Sequence, residues 1–184
     1  GAAVSVKYFG AKGDGVTDDT AAIQATLDSL TASQALFFPG TGNNFYKITA
    51  KLNLPKLNGI TLYGEGTRVS RLRQVTAGVD AIDSNNVWAT STNGIVIRDL
   101  WIEAGAAARY GIRWKATNRS QLLNVRLSGF TGGAGLYTED TLIVNVFGCD
   151  FDGNQDGILE DGTALNTGPN GWSLIGNTFE NHTR

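Results

Sequence analysis

The sequence predicts an all-β solenoid, a parallel β-helix carrying one α-helix near its N-terminal end. Three observations lead there: a degenerate repeat of 22–28 residues, 24 glycines beside only three prolines, and a single amphipathic helical stretch near the start. The repeat is clearest in segments 97–102, 122–127, 146–151 and 174–179. Each reads apolar, two residues, small or apolar, one residue, apolar, and their starts lie 25, 24 and 28 residues apart. A second strand pattern follows the first three, opening at Gly111, Gly135 and Gly157, which are 24 and 22 residues apart. Strand, corner, strand and loop within one such period is the content of a β-helix coil. Glycines and β-branched residues interrupt every window that a helical repeat would need. The leucine-and-asparagine consensus of leucine-rich repeats is missing.

In chain order, residues 6–28 read as a short strand, a glycine turn and a helix. Val6, Tyr8 and Phe9 are apolar, and Gly10, Gly13 and Gly15 loosen the turn. Asp18, Asp19 and Thr20 offer N-cap oxygens, and Ile23, Leu27 and Leu30 fall at helical spacing. That helix has one apolar face and must cover something. Residues 35–38 form a compact apolar run stopped by Pro39 and Gly40, and residues 46–49 alternate as a strand. Leu52 and Leu54 precede Pro55, and residues 59–64 begin the first recognisable coil.

Alternation assigns faces. With Leu100, Val125, Cys149 and either Phe179 or Asn177 inside, the outward column is Trp101, Arg126, Asp150 and Thr178. A second outward column is Glu103, Ser128, Asp152 and Glu180. The second strands add Arg113, Tyr137 and Leu159, with Lys115, Glu139 and Asp161 beyond them. Asp150, Asp152, Asp156 and Glu160 are the candidate catalytic carboxylates, since glycosidic cleavage uses one carboxyl as acid and another as base or nucleophile. Trp101, Arg126, Tyr137, Arg113 and Glu139 are the candidate substrate contacts. Asp, Asn and Gly are equally the ordinary residues of tight turns, and that use alone accounts for the composition of residues 149–161.

Bulk composition excludes several classes. The formal charge of −2, with both signs well mixed, leaves no footprint for nucleic acid or an anionic membrane. No apolar run approaches the length of a membrane span, and no secretory signal pattern stands at the start. The single cysteine, Cys149, excludes an internal disulfide and reads as a small buried hydrophobe. His182, the one histidine, matches no acid–base or metal constellation. No cofactor or metal is expected. The acidic spacing near residue 150 suits calcium in charge but lacks the fixed EF-hand pattern. The turn at Gly13 and Gly15 lacks the Lys-Ser/Thr ending of a phosphate-binding loop.

The opening stretch resembles the N-terminal signature of the pectate-lyase-like superfamily. The similarity continues through Phe37, Phe38, Pro39 and Gly40, through residues 46–49 and 52–55, and through Ile60 to Gly66. The resemblance implies a right-handed, single-stranded parallel β-helix whose first strand and helix close the N-terminal end. It divides the chain into residues 1–58, the strand, cap helix and first strands, and residues 59–184, the coils. No terminal cap follows Phe179, so the coils are expected to continue beyond this chain or to meet a partner. The superfamily includes lyases, glycoside hydrolases, epimerases and phage tailspikes. The subgroup signatures of its secreted enzymes are absent, which inclines the resemblance towards a tailspike-like depolymerase. Such a protein would bind and cut bacterial surface polysaccharide, as a homotrimer, on a virion tail or outside the cell. Two alternatives are a non-catalytic segment of a trimeric fibre and the N-terminal part of a secreted bacterial lyase, hydrolase or epimerase.

Overall fold

The structure, a computed structural model, describes residues 3–162 and 171–184. It is a parallel β-solenoid whose coils contribute to three sheets of eight, six and five strands. The first sheet runs from Ala3–Ser5 through Ala35–Phe38, Thr61–Gly64, Val96–Arg98, Thr117–Leu123 and Leu142–Phe147 to Ser173–Ile175, with Thr92–Asn93 beside it. The second runs from Tyr46–Ile48 through Arg71–Gln74, Trp101–Ala104, Arg126–Ser128 and Asp150–Asp152 to Thr178–Glu180. The third holds Leu52–Asn53, Ile82–Asp83, Tyr110–Lys115, Ala134–Glu139 and Asp156–Asp161.

One inward file per sheet fills the interior. Leu36, Leu62, Ile97, Leu122, Val146 and Leu174 are in register on the first sheet. On the second sheet the file is Tyr46, Leu72, Ile102, Leu127, Phe151 and Phe179. On the third it is Leu52, Ile82, Ile112, Leu136 and Ile158. Members of these files up to the coil of Phe151 are fully buried except Ile158, which is partly buried, and each fully buried one contributes about 1.5–3 kcal/mol through removal from water. The repeat positions 97, 122, 146 and 174 therefore stand in one file. Asn177, and not Phe179, follows Leu100, Val125 and Cys149 at the first corner. Its amide accepts the Cys149 N–H and donates to the Val146 carbonyl, each at 2.9 Å. Cys149 is buried, and burial pushes its thiol up to about 11.

The opening stretch closes all three edges of the first coil, and its details differ from expectation. The strand is Ala3–Ser5, which pairs with Ala35–Phe38, whereas Val6–Phe9 is a 3₁₀ turn. The Ser5 hydroxyl accepts the Lys7 N–H, and Gly10 ends the turn at φ 96°. Tyr8 is consequently exposed, not a core strand residue. Further on, the Gly15 and Asp19 N–H groups donate to the Phe45 and Lys47 carbonyls, covering the edge of the second sheet. The helix Thr20–Asp28 buries Ile23, Thr26 and Leu27 over the core. From it Gln24 reaches the third edge, accepting the Asn53 N–H at 2.8 Å and donating to the Asn53 carbonyl at 3.0 Å.

Asp19 does not cap the helix. Its buried carboxylate accepts the Lys12 and Gly13 N–H groups at 2.6 and 2.9 Å and so shapes the glycine turn. Asp18 takes the Thr20 N–H and hydroxyl with one oxygen and the Thr49 hydroxyl with the other. Asp14 accepts the Thr17 and Val16 N–H groups, which hold its carboxyl down to about 2.

Two corner columns explain residue choices. Gly111, Gly135 and Gly157 stack near the starts of the third-sheet strands, where a side chain would run into its surroundings. A Cβ on Gly111 would lie 2.6 Å from the Gly135 carbonyl oxygen, and one on Gly135 would lie 3.0 Å from that of Gly157. Replacing Gly135 by alanine is expected to lower stability by about 1–3 kcal/mol through overpacking, read from denaturant midpoints. At another corner, Gly59, Gly94, Arg119, Ile143 and Gly171 share a left-handed conformation, with Ile143 at φ 57°. A β-branched residue is strained there. Ile143 is 41% exposed, so Ile143→Asn is expected to raise stability by about 1 kcal/mol, again read from the unfolding midpoint.

Candidate functional site

The outward columns form two charged faces. On the second sheet, Arg71, Trp101, Arg126, Asp150 and Thr178 stand in one file, and Arg73, Glu103, Ser128, Asp152 and Glu180 in the next. The Trp101 ring lies between two guanidinium groups, Arg71 at 4.2 Å and Arg126 at 4.8 Å from its centroid. Its Nε1–H donates to the Ser128 hydroxyl at 2.7 Å. Both ring faces are thus occupied within the protein, and the indole presents an edge. Arg71 and Arg73 converge on Glu103 at 2.9 and 3.2 Å.

Asp150 and Asp152 share one strand and one face because they are two residues apart. Arg126, from the preceding coil, bridges them: its Nε lies 3.4 Å from Asp150 Oδ2 and its Nη2 2.6 Å from Asp152 Oδ2. Asn181 Nδ2 donates to Asp152 Oδ1 at 2.9 Å. That hydrogen bond, with the Arg126 guanidinium adding to it, outweighs the opposing effect of burial and holds the Asp152 carboxyl below the usual aspartate range. Asp152 is therefore set up to stay ionised. The other oxygen of Asp150, Oδ1, is buried without a protein partner.

The third sheet carries the remaining candidates. Asp83, Arg113, Tyr137 and Leu159 share one outward file, with Lys115, Glu139 and Asp161 beside it. Arg113 lies between two carboxylates, 3.5 Å from Asp83 and 3.3 Å from Glu139, and Lys115 Nζ is 2.6 Å from Glu139. Tyr137 is outward in register yet nearly buried, because its ring stacks on Tyr110 at 4.3 Å. Its hydroxyl donates to Asp161 at 3.2 Å. Burial, then the charges of Glu139 and Asp161, raises the phenol far above its ordinary value.

The four candidate carboxylates do not share one place. Asp150 and Asp152 sit together on the second sheet. Asp156, on the third, is paired with Arg184 at 2.7 Å. Glu160 falls in the inward register of Trp114 and Thr138. Burial, then the charges of Asp161 and Asp140, raises its carboxyl above the ordinary range, the condition a general acid requires. Asp83 was not legible as a site residue. Its carboxylate is fully buried, 2.8 Å from Lys51 Nζ, and accepts the Asn85 N–H. Its coil precedes the clear part of the repeat, so only the apolar Ile82 beside it hinted at a strand.

Among the described residues no cluster of three or more His, Cys, Asp or Glu could hold a metal ion, and no helix is long and apolar enough to cross a membrane.

A parallel β-solenoid with ordered charged columns on its outside defines the class of the protein. The chain belongs to the rhamnogalacturonase A/epimerase, pectate lyase-like family, whose model matches residues 3–184. A probable glucan endo-1,3-beta-glucosidase of Arthroderma benhamiae is 52% identical over 58 residues, which are 32% of this chain and 6% of that protein. Among solved structures, the ORF18 protein of Geobacillus virus E2 superposes with a TM-score of 0.70 at 21% identity, covering 97% of this chain and 42% of the viral one. Tailspike protein 3 of bacteriophage CBA120 follows with a TM-score of 0.58 at 16% identity, over 94% of this chain and 29% of the tailspike. The chain thus spans less than half of each of these proteins, and the two structural likenesses concern the fold.

Because the native Asp152 carboxyl lies below its unfolded value, its stabilising contribution is complete above the unfolded value and disappears as the pH falls through the native one. Asn181→Ala is expected to raise the pH at which Asp152 titrates, read from its side-chain carboxyl carbon by NMR. An unchanged titration would show that Asn181 does not hold the charge.

Proposed function

We propose that the protein binds an extended polysaccharide along the charged outside of the solenoid and cleaves it at carboxylates of that face. The observation that carries this reading is the Asp150–Asp152 pair astride Arg126, on a solenoid of this family. Successive coils rise by about 4.8 Å, close to the length of one hexose unit. A sugar chain lying along the axis would therefore meet Arg71, the Trp101 edge, Arg126 and Asp150 in turn. Guanidinium groups donate to hydroxyls or to a sugar carboxylate in a fixed fork.

In the hydrolytic version Asp152, held ionised, takes a proton from a water whose oxygen bonds to the anomeric carbon as the glycosidic C–O bond breaks, and Asp150 supplies the proton to the leaving oxygen. Arg113, Tyr137 and Glu139 would extend the contacts onto the third sheet. Glu160 is the alternative acid, because burial and the charges of Asp161 and Asp140 raise its carboxyl above the ordinary range; Asp156 serves its ion pair with Arg184 in this reading.

The viral and tailspike likenesses favour bacterial surface glycan, a trimeric parent and a place on a virion tail. The fungal relative favours a β-1,3-glucan as a second substrate class. The test is release of reducing ends from laminarin and from a panel of capsular and lipopolysaccharide glycans. Asp150→Asn and Asp152→Asn are each expected to cost about 100-fold or more in turnover while glycan binding persists. Unchanged turnover in both would remove the pair from the chemistry, and Glu160→Gln would then separate the alternative acid from a purely binding protein.

A further inference from the structure

The coils turn a corner between each pair of sheets, and at two of these corners an inward asparagine is satisfied by backbone. Between the first and second sheets the Asn177 amide bonds two backbone groups of the preceding coil. Between the second and third sheets the buried Asn154 amide does the same, donating to the Leu127 carbonyl and accepting the Phe130 N–H, each at 2.9 Å.

The corner from the third sheet back to the first is different. Asn86 Nδ2 donates to Thr92 Oγ1 across it at 2.7 Å, and the Asn86 carbonyl oxygen is left over. In the next two coils the turn passes through a left-handed residue, Ala116 at φ 47° and Asp140 at φ 53°. Trp114 and Thr117 bracket the first of these turns, Thr138 and Thr141 the second, and all four are fully buried. Register stacks Trp114, Thr138 and Glu160 in one inward file. Thr92 and Thr117 stand opposite each other in a second file, which Thr141 continues just before the Asn118–Leu142 pair. The Trp114 indole N–H, the hydroxyls of Thr117, Thr138 and Thr141, and a buried Glu160 oxygen have no hydrogen-bond partner among the described residues.

We infer that this corner holds a file of internal water, about one molecule to a coil, running inside the rod from Asn86 to Glu160. Buried polar groups without a partner are few in a folded domain and costly, so this many in one corner call for a shared ligand. The donor set selects water. An indole N–H only donates, the Asn86 carbonyl oxygen only accepts, and hydroxyls do both. A cation would be faced by the indole N–H, and an anion by the Asn86 oxygen and the Glu160 carboxyl. Water answers both kinds, and an internal water makes about three hydrogen bonds. Over a coil rise of about 4.8 Å a threonine hydroxyl links one water to the next. Glu160 is the partly exposed end of the file. A ligand lying over the third sheet would therefore leave its carboxyl hydrated from within, although the inference itself does not rest on the glycan reading.

Rotating-frame NMR on the whole chain tests it. The Trp114 indole proton, assigned by its loss in Trp114→Phe, is expected to show a cross-peak to water with the sign of dipolar contact, opposite to that of chemical exchange. Thr138→Val keeps the shape and removes the hydroxyl. It is expected to lose that cross-peak and to lower the urea midpoint, because the water loses a partner, whereas Thr138→Ser is expected to keep both. Thr117→Val is a second variant with the same expectation as Thr138→Val. In a dry corner either valine would remove an unpaired hydroxyl and raise the midpoint. Absence of a dipolar cross-peak in the unsubstituted chain would overturn the inference, and so would a midpoint raised by either valine. An indole resonance that moves when sodium or potassium replaces tetramethylammonium would overturn it in favour of a bound cation.

Discussion

Everything in this molecule depends on a backbone ladder that has to be closed at its first rung. A parallel strand satisfies its N–H and C=O groups only through neighbours on both sides, and an open edge invites foreign pairing. The first coil has three such edges, one per sheet. The opening stretch meets them in turn with different devices. Ala3–Ser5 supplies a strand, the segment before the helix supplies backbone N–H groups to Phe45 and Lys47, and Gln24 supplies a side-chain amide that imitates a strand at Asn53. The helix turns its apolar side to the end of the core, and its polar side supplies Gln24 to the third edge.

Once the ladder is fixed, the outside is fixed with it. Inward files of leucine, isoleucine and phenylalanine set the register, and a slip of one residue would turn each file to solvent. The outward columns are therefore placed by the core and not by their own attractions. Their ion pairs range from the partly exposed contacts of Arg126 with Asp150 and Asp152 to the largely buried carboxylates of Glu103 and Glu139, and the partly exposed ones contribute about 0–1 kcal/mol each. The Arg126 bridge between Asp150 and Asp152 is too weak to be needed for folding, so its arrangement is free to serve another purpose. Asp83 is different: a fully buried carboxylate between Lys51 and Arg113 must keep its partners, because an unpaired charge there would be costly.

The sequence disclosed the architecture where the repeat was regular and lost it where the coils were not. Ile97, Leu122, Val146 and Leu174 announce one file, and the glycines at 111, 135 and 157 announce a corner, because periodicity and steric exclusion leave marks in residue type. The outward columns through Trp101, Arg126 and Asp150 followed from alternation alone. The strands Arg71–Gln74 and Ile82–Asp83 were not legible, since irregular loops between them blur the period, and Arg71, Arg73 and Asp83 were missed with them. The roles of Asp14, Asp18 and Asp19 were legible in kind, as turn and helix-end residues, but not in detail. Which N–H a carboxylate accepts depends on a loop path that residue type does not encode. Glu160 was a candidate through its residue type alone, although the alternation that sets Leu159 outward already turns it inward.

The three faces consequently carry different physical chemistry on one scaffold. Two hold charge, with arginines shared between carboxylates so that each charged group has an opposite neighbour within a coil or two. The third, that of the first sheet, holds few: Arg98, kept by Asp99 and Tyr63, and the exposed Arg119 at its corner. A repeat evolving only under the demand for a filled core would leave its outward positions free to mix, because the core constrains alternate residues alone. Sorting neutral aromatics to one face and ion pairs to the other two requires a demand acting from outside the rod, and acting differently on different sides. A long polar ligand lying along the two charged faces supplies that demand on the sides that carry the ion pairs.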